Sequence, residues 1–219
     1  LSEDALGGAI NIILKQRRSK SLTTSYSAGS FNTHQWNAAG SYRWDNGFTV
    51  DASAFYNYSD NNYKVWGKDI TFTDTDTWQI IDSNGKRVPR FHDAYRSFGG
   101  KFNIGFTDVR WADQFLIGAV LSQSYNEIQN GATMRVVYGD RHSRRASDVF
   151  TIDYSKKDFL VDGLVLRVDG SYSILNRQII DTVGIRHDWA GPIIKDGEYI
   201  YYYSAGEIGA EGGGRKTAA

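Results

Sequence analysis

Gln35-Trp36-Asn37-Ala38-Ala39-Gly40-Ser41-Tyr42-Arg43-Trp44-Asp45-Asn46-Gly47-Phe48-Thr49-Val50-Asp51-Ala52-Ser53-Ala54-Phe55-Tyr56-Asn57-Tyr58 consists of two alternating runs about a turn. Trp36, Ala38, Gly40, Tyr42 and Trp44 fall on one side of the first run, with Gln35, Asn37, Ala39, Ser41 and Arg43 on the other. After the turn, Phe48, Val50, Ala52, Ala54, Tyr56 and Tyr58 alternate with Thr49, Asp51, Ser53, Phe55 and Asn57. A period of two is the signature of a strand with one apolar face, and Asn-Gly between two such runs predicts a hairpin.

The same period continues along the chain. Phe98, Gly100, Phe102, Ile104 and Phe106 oppose Gly99, Lys101, Asn103, Gly105 and Thr107. Further strands are expected around Phe115 to Leu121, Phe150 to Tyr154 and Leu164 to Ile174, with a weaker first strand around Leu22 to Ala28. Short turns are expected at Asp45-Asn46-Gly47, near Asp108 to Asp113 and near Lys156 to Gly163, and long connections over 59–94, 126–146 and 176–219. Short and long connections in alternation suit an outer-membrane barrel with tight turns on one side and extended loops on the other. Trp44, Trp111 and Phe159 lie by the short turns and Tyr56, Tyr58, Tyr125 and Tyr172 toward the long loops, the placement of two aromatic girdles. Cross-strand packing within a soluble β-sandwich is the alternative.

Composition narrows the class. The 219 residues contain 14% aromatics and 23 Gly but only 2 Pro. No apolar run reaches the ~18 residues of a membrane helix, so any membrane span here is built from strands. Twenty-five basic residues balance 25 acidic ones, which argues against a nucleic-acid partner held by phosphate neutralisation. With no Cys, thiolate metal sites, Cys nucleophiles and disulfides are excluded from these residues. The chain opens without a basic, apolar leader, as expected of a mature or truncated start. No Ser-His-Asp grouping, paired-carboxylate motif or nucleotide loop stands out, so the chain does not read as an enzyme.

The opening stretch Asp4-Ala5-Leu6-Gly7-Gly8-Ala9-Ile10-Asn11-Ile12-Ile13-Leu14-Lys15 resembles the closing segment of the plug domain in TonB-dependent outer-membrane transporters, with Leu14 where Thr is usual. The resemblance implies that residues 1–18 end a plug and that 19–219 form the N-terminal part of a barrel. It makes Gly7, Gly8 and Asn11 a plug-barrel hinge. It further implies localisation in the outer membrane of a Gram-negative cell, TonB as a partner through a more N-terminal region, and import of a ferric siderophore, haem, cobalamin or similar nutrient. About seven strands do not enclose a plug, whereas about 22 do. The expected fold is therefore all-β: the first seven strands of the antiparallel transmembrane wall of a 22-stranded plugged barrel, in contact with the bilayer and lipopolysaccharide. Rival readings are a small outer-membrane barrel with a structural or adhesive role, a SusC-like glycan or peptide importer, an outer-membrane barrel enzyme and a soluble glycan-binding sandwich.

Candidate ligand-facing residues lie in the long connections. Arg141, His142, Arg144 and Arg145 form a basic run suited to an anionic chelate or to lipopolysaccharide phosphates. Trp78, Trp189 and Tyr201, the last within Tyr199-Ile200-Tyr201-Tyr202-Tyr203, are suited to stacking on a sugar or aromatic chelator, and the tyrosine run is equally suited to prolonging a strand. Asp74 and Asp76 are candidate calcium ligands, although Thr73-Asp74-Thr75-Asp76-Thr77 lacks the glycine and terminal Glu of a complete calcium loop. No other cofactor is expected. His34, His92, His142 and His187 are scattered and are expected at the surface.

Overall fold

In the computed structural model, residues 20–202, 206–207 and 216–218 are described. Gly7, Gly8 and Asn11, together with the whole plug-like segment, lie outside them. Seven long strands form one antiparallel sheet in simple chain order. They are β1 (Ser21–Gly29), β2 (Thr33–Arg43), β3 (Phe48–Ser59), β4 (Tyr95–Val109), β5 (Ala112–Glu127), β6 (His142–Lys156) and β7 (Leu166–Ile180). A three-residue strand, β8 (Lys216–Ala218), pairs with the free edge of β7. Among the described residues β1 pairs only with β2, so this sheet is open.

Continuous register carries the alternation of each strand across the sheet. Leu22, Gly40, Ala52, Phe102, Ala119, Phe150 and Tyr172 form one transverse row. Val50, Ile104, Ile117, Ile152 and Gly170 form another on the same face. The opposite face carries rows such as Ser53, Lys101, Val120, Val149 and Ser173. Because side chains alternate strictly across the pleat, one face of the sheet is apolar and the other largely polar.

Among the described residues nothing packs over the apolar face. Phe102, Ile104, Ile117, Phe150, Ile152, Val168 and Tyr172 are all exposed, Tyr172 at 67%. Soluble monomers rarely leave so large a contiguous apolar patch uncovered. From Phe48 to Tyr56 the face runs eight residue steps, about 26 Å at ~3.3 Å per residue, the reach of a tilted transmembrane strand.

Aromatic rings bound this face at both ends. Toward the short turns, rings contact one another in an unbroken series: Tyr42 to Trp44 (4.3 Å), Trp44 to Phe48 (5.2 Å), Phe48 to Phe106 (5.5 Å), Phe106 to Trp111 (5.8 Å) and Trp111 to Phe115 (5.5 Å). Toward the long connections, Tyr26, Trp36, Tyr56 and Phe98 share a row. Tyr172 does not belong to that end. Its register with Phe102 and Phe150 puts it in the middle of the apolar face, because β7 continues eight residues beyond it to Ile180.

The hairpin turn differs in type from a two-residue Asn-Gly loop. Gly47 N–H donates to Trp44 O (2.9 Å) around Asp45-Asn46, and Gly47 itself takes φ +83°, adding a one-residue bulge. The Gly47 carbonyl then accepts from Thr107 N–H (2.9 Å), and Arg43 Nη2 donates to Thr107 O (3.0 Å), which ties the turn to β4. A Cβ on residue 47 would lie 2.9 Å from Thr107 O and overlap Val109. Gly47→Val is therefore expected to destabilise the β2–β3 end of the sheet by about 1–3 kcal/mol from backbone strain alone. The denaturation midpoint checks this, with Gly47→Asn, which tolerates positive φ, expected to lose less.

The connections sort by end, with one exception. The turns at 44–47, 110–111 and 157–165 lie at one end and the long connections 60–94, 128–141 and 181–202 at the other, where the 30–32 turn between β1 and β2 is also found. The molecule's small apolar core sits in the long connections and not in the sheet. Val65, Ile70, Val88, Val137 and Trp189 are buried together, with Phe72 and Met134 against them.

Candidate functional site

The long connections hold one another through backbone and side-chain bonds and form a layer at one end of the sheet. Trp189 Nε1 donates to Met134 O (2.6 Å), and Asp188 Oδ2 accepts from Thr73 N–H (2.8 Å). Arg135 pairs with Asp69 (2.8 Å), and Arg90 Nη2 donates to Asn130 Oδ1 (2.9 Å). Gln129, 1% exposed, accepts from Phe91 and His92 N–H through one oxygen, both at 2.7 Å, and donates through Nε2 to Tyr138 O. A buried amide satisfied on both sides in this way fixes two connections against each other.

Three expectations about this layer need correction. Trp189 is no ligand-facing ring: it is 2% exposed and is the largest side chain of the layer's core, because its indole N–H finds a carbonyl inside. The tyrosine run does not prolong a long strand. Glu198–Tyr199 pairs with Ile194–Lys195 in a two-stranded ribbon and Tyr201 bridges to Ile185, while Tyr203 lies outside the described residues. His187 is not a surface histidine, since its side chain is 8% exposed.

His187 belongs to the most elaborate polar arrangement in the layer. Glu207, 1% exposed, accepts N–H bonds from Gly139 (2.6 Å), Asp140 (2.9 Å) and Arg141 (2.8 Å), and its Oε1 lies 2.9 Å from His187 Nδ1. Its own N–H donates to Asp181 Oδ1 (2.6 Å). Burial pushes the Glu207 carboxyl up, but the His187 bond and the N–H donors of Gly139 and Asp140 outweigh burial and hold it below its ordinary value. Burial likewise pulls the His187 imidazole down, and the bond to and charge of Glu207 outweigh it and hold it above its ordinary value. The close approach of the imidazole leaves no room for a side chain at residue 139, which is glycine. Asp140, His187 and Glu207 bring one ligand atom each within 4.8 Å of one another. Both Glu207 oxygens are already committed to N–H donors, so the environment is that of a held anion and not of a cation site.

The basic run is split by the structure. The connection between β5 and β6 ends at residue 141, not 146, so His142, Arg144 and Arg145 lie on β6. The pleat sends Arg144 to the apolar face and Arg145 to the polar face. Arg141 is half-buried, its guanidinium 4.9 Å from the Tyr138 ring and its carbonyl accepting from His92 Nε2 (2.7 Å). The His142 ring lies 5.2 Å from that of Tyr125, tilted at 41°. The connection after β7 likewise starts at residue 181, not 176.

Arg145 lines a cleft of about 350 Å³ on the polar face, close below the long connections, with Phe55, Asn57, Ser97, Ser122, Ser124 and Ser147. One cation among hydroxyls and an amide suits a polar or anionic ligand. Trp78, at φ +58°, stays exposed at the tip of the ribbon Thr71–Thr73/Ile80–Asp82, with Lys195 Nζ 5.1 Å from its ring centre. Tyr201 is also exposed. Asp74 spends its Oδ1 on the N–H groups of Asp76 (2.9 Å) and Thr77 (3.3 Å), which lowers its carboxyl from the ordinary range. Among the described residues no third carboxylate or His joins Asp74 and Asp76.

Two groups that matter here carry no signal in the sequence pattern. Glu207 stands 20 residues beyond His187 in a Gly-rich tail. Arg96 is visible only through its parity with Phe98. No family model, no curated protein and no solved structure matches the chain.

Proposed function

We propose that this chain is part of the wall of an outer-membrane β-barrel that imports a large, scarce nutrient under TonB drive. The observation that carries the barrel half of the proposal is the single-layered sheet, apolar and uncovered on one face, polar on the other, with rings along both margins. In lipid the apolar face needs no second layer, and the backbone groups are satisfied strand to strand. The unpaired edge of β1 among the described residues favours a barrel of more strands than these seven, since lipid does not tolerate free edges. The TonB half rests on the resemblance of residues 4–15. Under this reading the loop layer faces outward, the Arg145 cleft opens toward the lumen, and an anionic chelate such as a ferric siderophore would meet Arg145, Trp78 and Tyr201. The bilayer contacts the other face.

Tyr172 and Ser171 are adjacent on β7 and on opposite faces. Tyr172→Arg is expected to cost about 2–4 kcal/mol of stability in lipid vesicles, the penalty for a guanidinium near the bilayer midplane, while Ser171→Arg costs little. Denaturant unfolding of the complete protein in vesicles checks this. Equal losses from the two variants would count against the proposal.

A further inference from the structure

Arg96 on β4, Tyr125 on β5 and Arg144 on β6 occupy one register row. Their Cα atoms therefore stand two strand spacings apart, about 10 Å, either side of Tyr125. The Arg96 guanidinium lies 5.9 Å from the Tyr125 ring centre. A cleft of about 620 Å³ opens here, lined also by Gln123, Arg145, Asn176 and Gln178, with Phe98 toward the apolar rows. All of these residues but the three arginines are neutral, and among the described residues neither Arg96 nor Arg144 has an acidic partner. Glu127, two positions above Tyr125, is held by Ala94 N–H (2.9 Å). Asp148, the carboxylate below on this face of β6, is four residues from Arg144, about 13 Å along the strand.

Parity puts most of this cleft's lining on the apolar face, directly above the rows Phe98–Tyr56 and Leu121–Gly100. It is a place where a charged ligand would have its polar end beside two arginines and its apolar end along exposed Phe98 and Leu121. We infer that the Arg96–Tyr125–Arg144 cleft binds the phosphate of an anionic lipid headgroup. Arginine forks match phosphate oxygens, and amides from Gln123, Asn176 and Gln178 supply further donors. The inference rests on the membrane reading above and assigns Arg144 to the lipid side.

The complete protein is reconstituted in phosphatidylcholine vesicles with and without a minor fraction of phosphatidylglycerol, then extracted, and its retained lipid is counted by native mass spectrometry. Arg96→Gln and Arg144→Gln are each expected to weaken phosphatidylglycerol retention about fivefold, and about 30-fold together. Lys101→Gln, on the polar face of β4 and outside this cleft, is expected to leave retention unchanged and controls for folding and bulk charge. Wild-type retention by the double variant, or an equal loss with Lys101→Gln, overturns the inference. Displacement of the lipid by inorganic phosphate also overturns it, in favour of a free-phosphate site. Failure of the wild type to float with phosphatidylcholine vesicles overturns the membrane reading, whereas flotation with equal retention overturns only this inference.

Discussion

Glu207→Ala is expected to release the amides of Gly139, Asp140 and Arg141 to hydrogen exchange and to destabilise the loop layer by about 3–5 kcal/mol. The carboxylate is buried and ends four interactions at once, so its removal leaves three half-buried N–H groups without their acceptor and leaves His187 Nδ1 only the Ile185 carbonyl at 3.1 Å. Glu207→Gln keeps one acceptor oxygen but turns an NH₂ toward N–H donors, and is expected to fall between the alanine variant and the wild type. The same tie makes the layer pH-sensitive in both directions. Glu207 is held below its ordinary value, so its contribution is present above the ordinary carboxylate pKa and is lost as pH falls through the lowered one. His187 is held above its ordinary value, so its contribution is present below the ordinary imidazole pKa and is lost as pH rises through the raised one. Protection of the three amides is therefore expected to be greatest in the window of roughly pH 4.5–6.5 and to decline on either side. Hydrogen exchange across pH, corrected for intrinsic rates, reads this directly. Protection in Glu207→Ala equal to the wild type would remove the tie from the account.

Trp189→Ala is expected to cost about 3–5 kcal/mol, the usual penalty for deleting a large buried ring. Here the loss is concentrated. The layer's core has few members, and Trp189 contacts all its connections through packing with Val65, Ile70, Val88 and Val137 and through its bond to Met134 O. The sheet has its own hydrogen-bond ladder and shares little of this core, so the effect should be confined to the connections. Limited proteolysis is expected to cut 60–94 and 128–141 faster in the variant while the strands persist. Trp78→Ala, at an exposed ring, is the contrasting case and should leave proteolysis nearly unchanged.

The long strands were legible because a period of two is a local property. Phe98 to Phe106 and Trp36 to Tyr58 alternate without interruption, and each strand extends the pattern of its neighbour through direct register. The ends were less legible. His142, Arg144 and Arg145 sit in a polar stretch that resembles a loop, yet β6 starts at His142 because β5 runs just as far and supplies partners for each of them. The strand rises out of the apolar rows there, so hydrophobicity no longer marks it. Tyr172 reads as a margin residue in the sequence for the converse reason: where β7 ends, at Ile180, is decided by pairing with β6 rather than by residue type.

The candidate site was legible only in part. Exposed Trp78 and Tyr201 follow from composition, and Arg145 from its charge, but the division of Arg144 from Arg145 needs the pleat phase that the register supplies. Trp189 could not be told from an exposed ring, because an indole in a polar connection gives the same pattern whether it stacks on a ligand or fills a core. The Glu207–His187 tie joins residues from two parts of a connection through backbone N–H groups, which no residue-type pattern encodes.

The central claim is that one face of the sheet lies against lipid. The chain has no Cys, so single cysteines introduced along β4 from Ser97 to Phe106 report on one position each. With an environment-sensitive dye at each position and a quencher carried on lipid chains, the complete protein in vesicles should show quenching that alternates with residue number. Positions 98, 100, 102, 104 and 106 should be quenched by the lipid-borne agent, and 97, 99, 101, 103 and 105 should not. A profile without alternation, or quenching by a water-soluble agent at 102 and 104 as strong as at 101 and 103, would contradict the account.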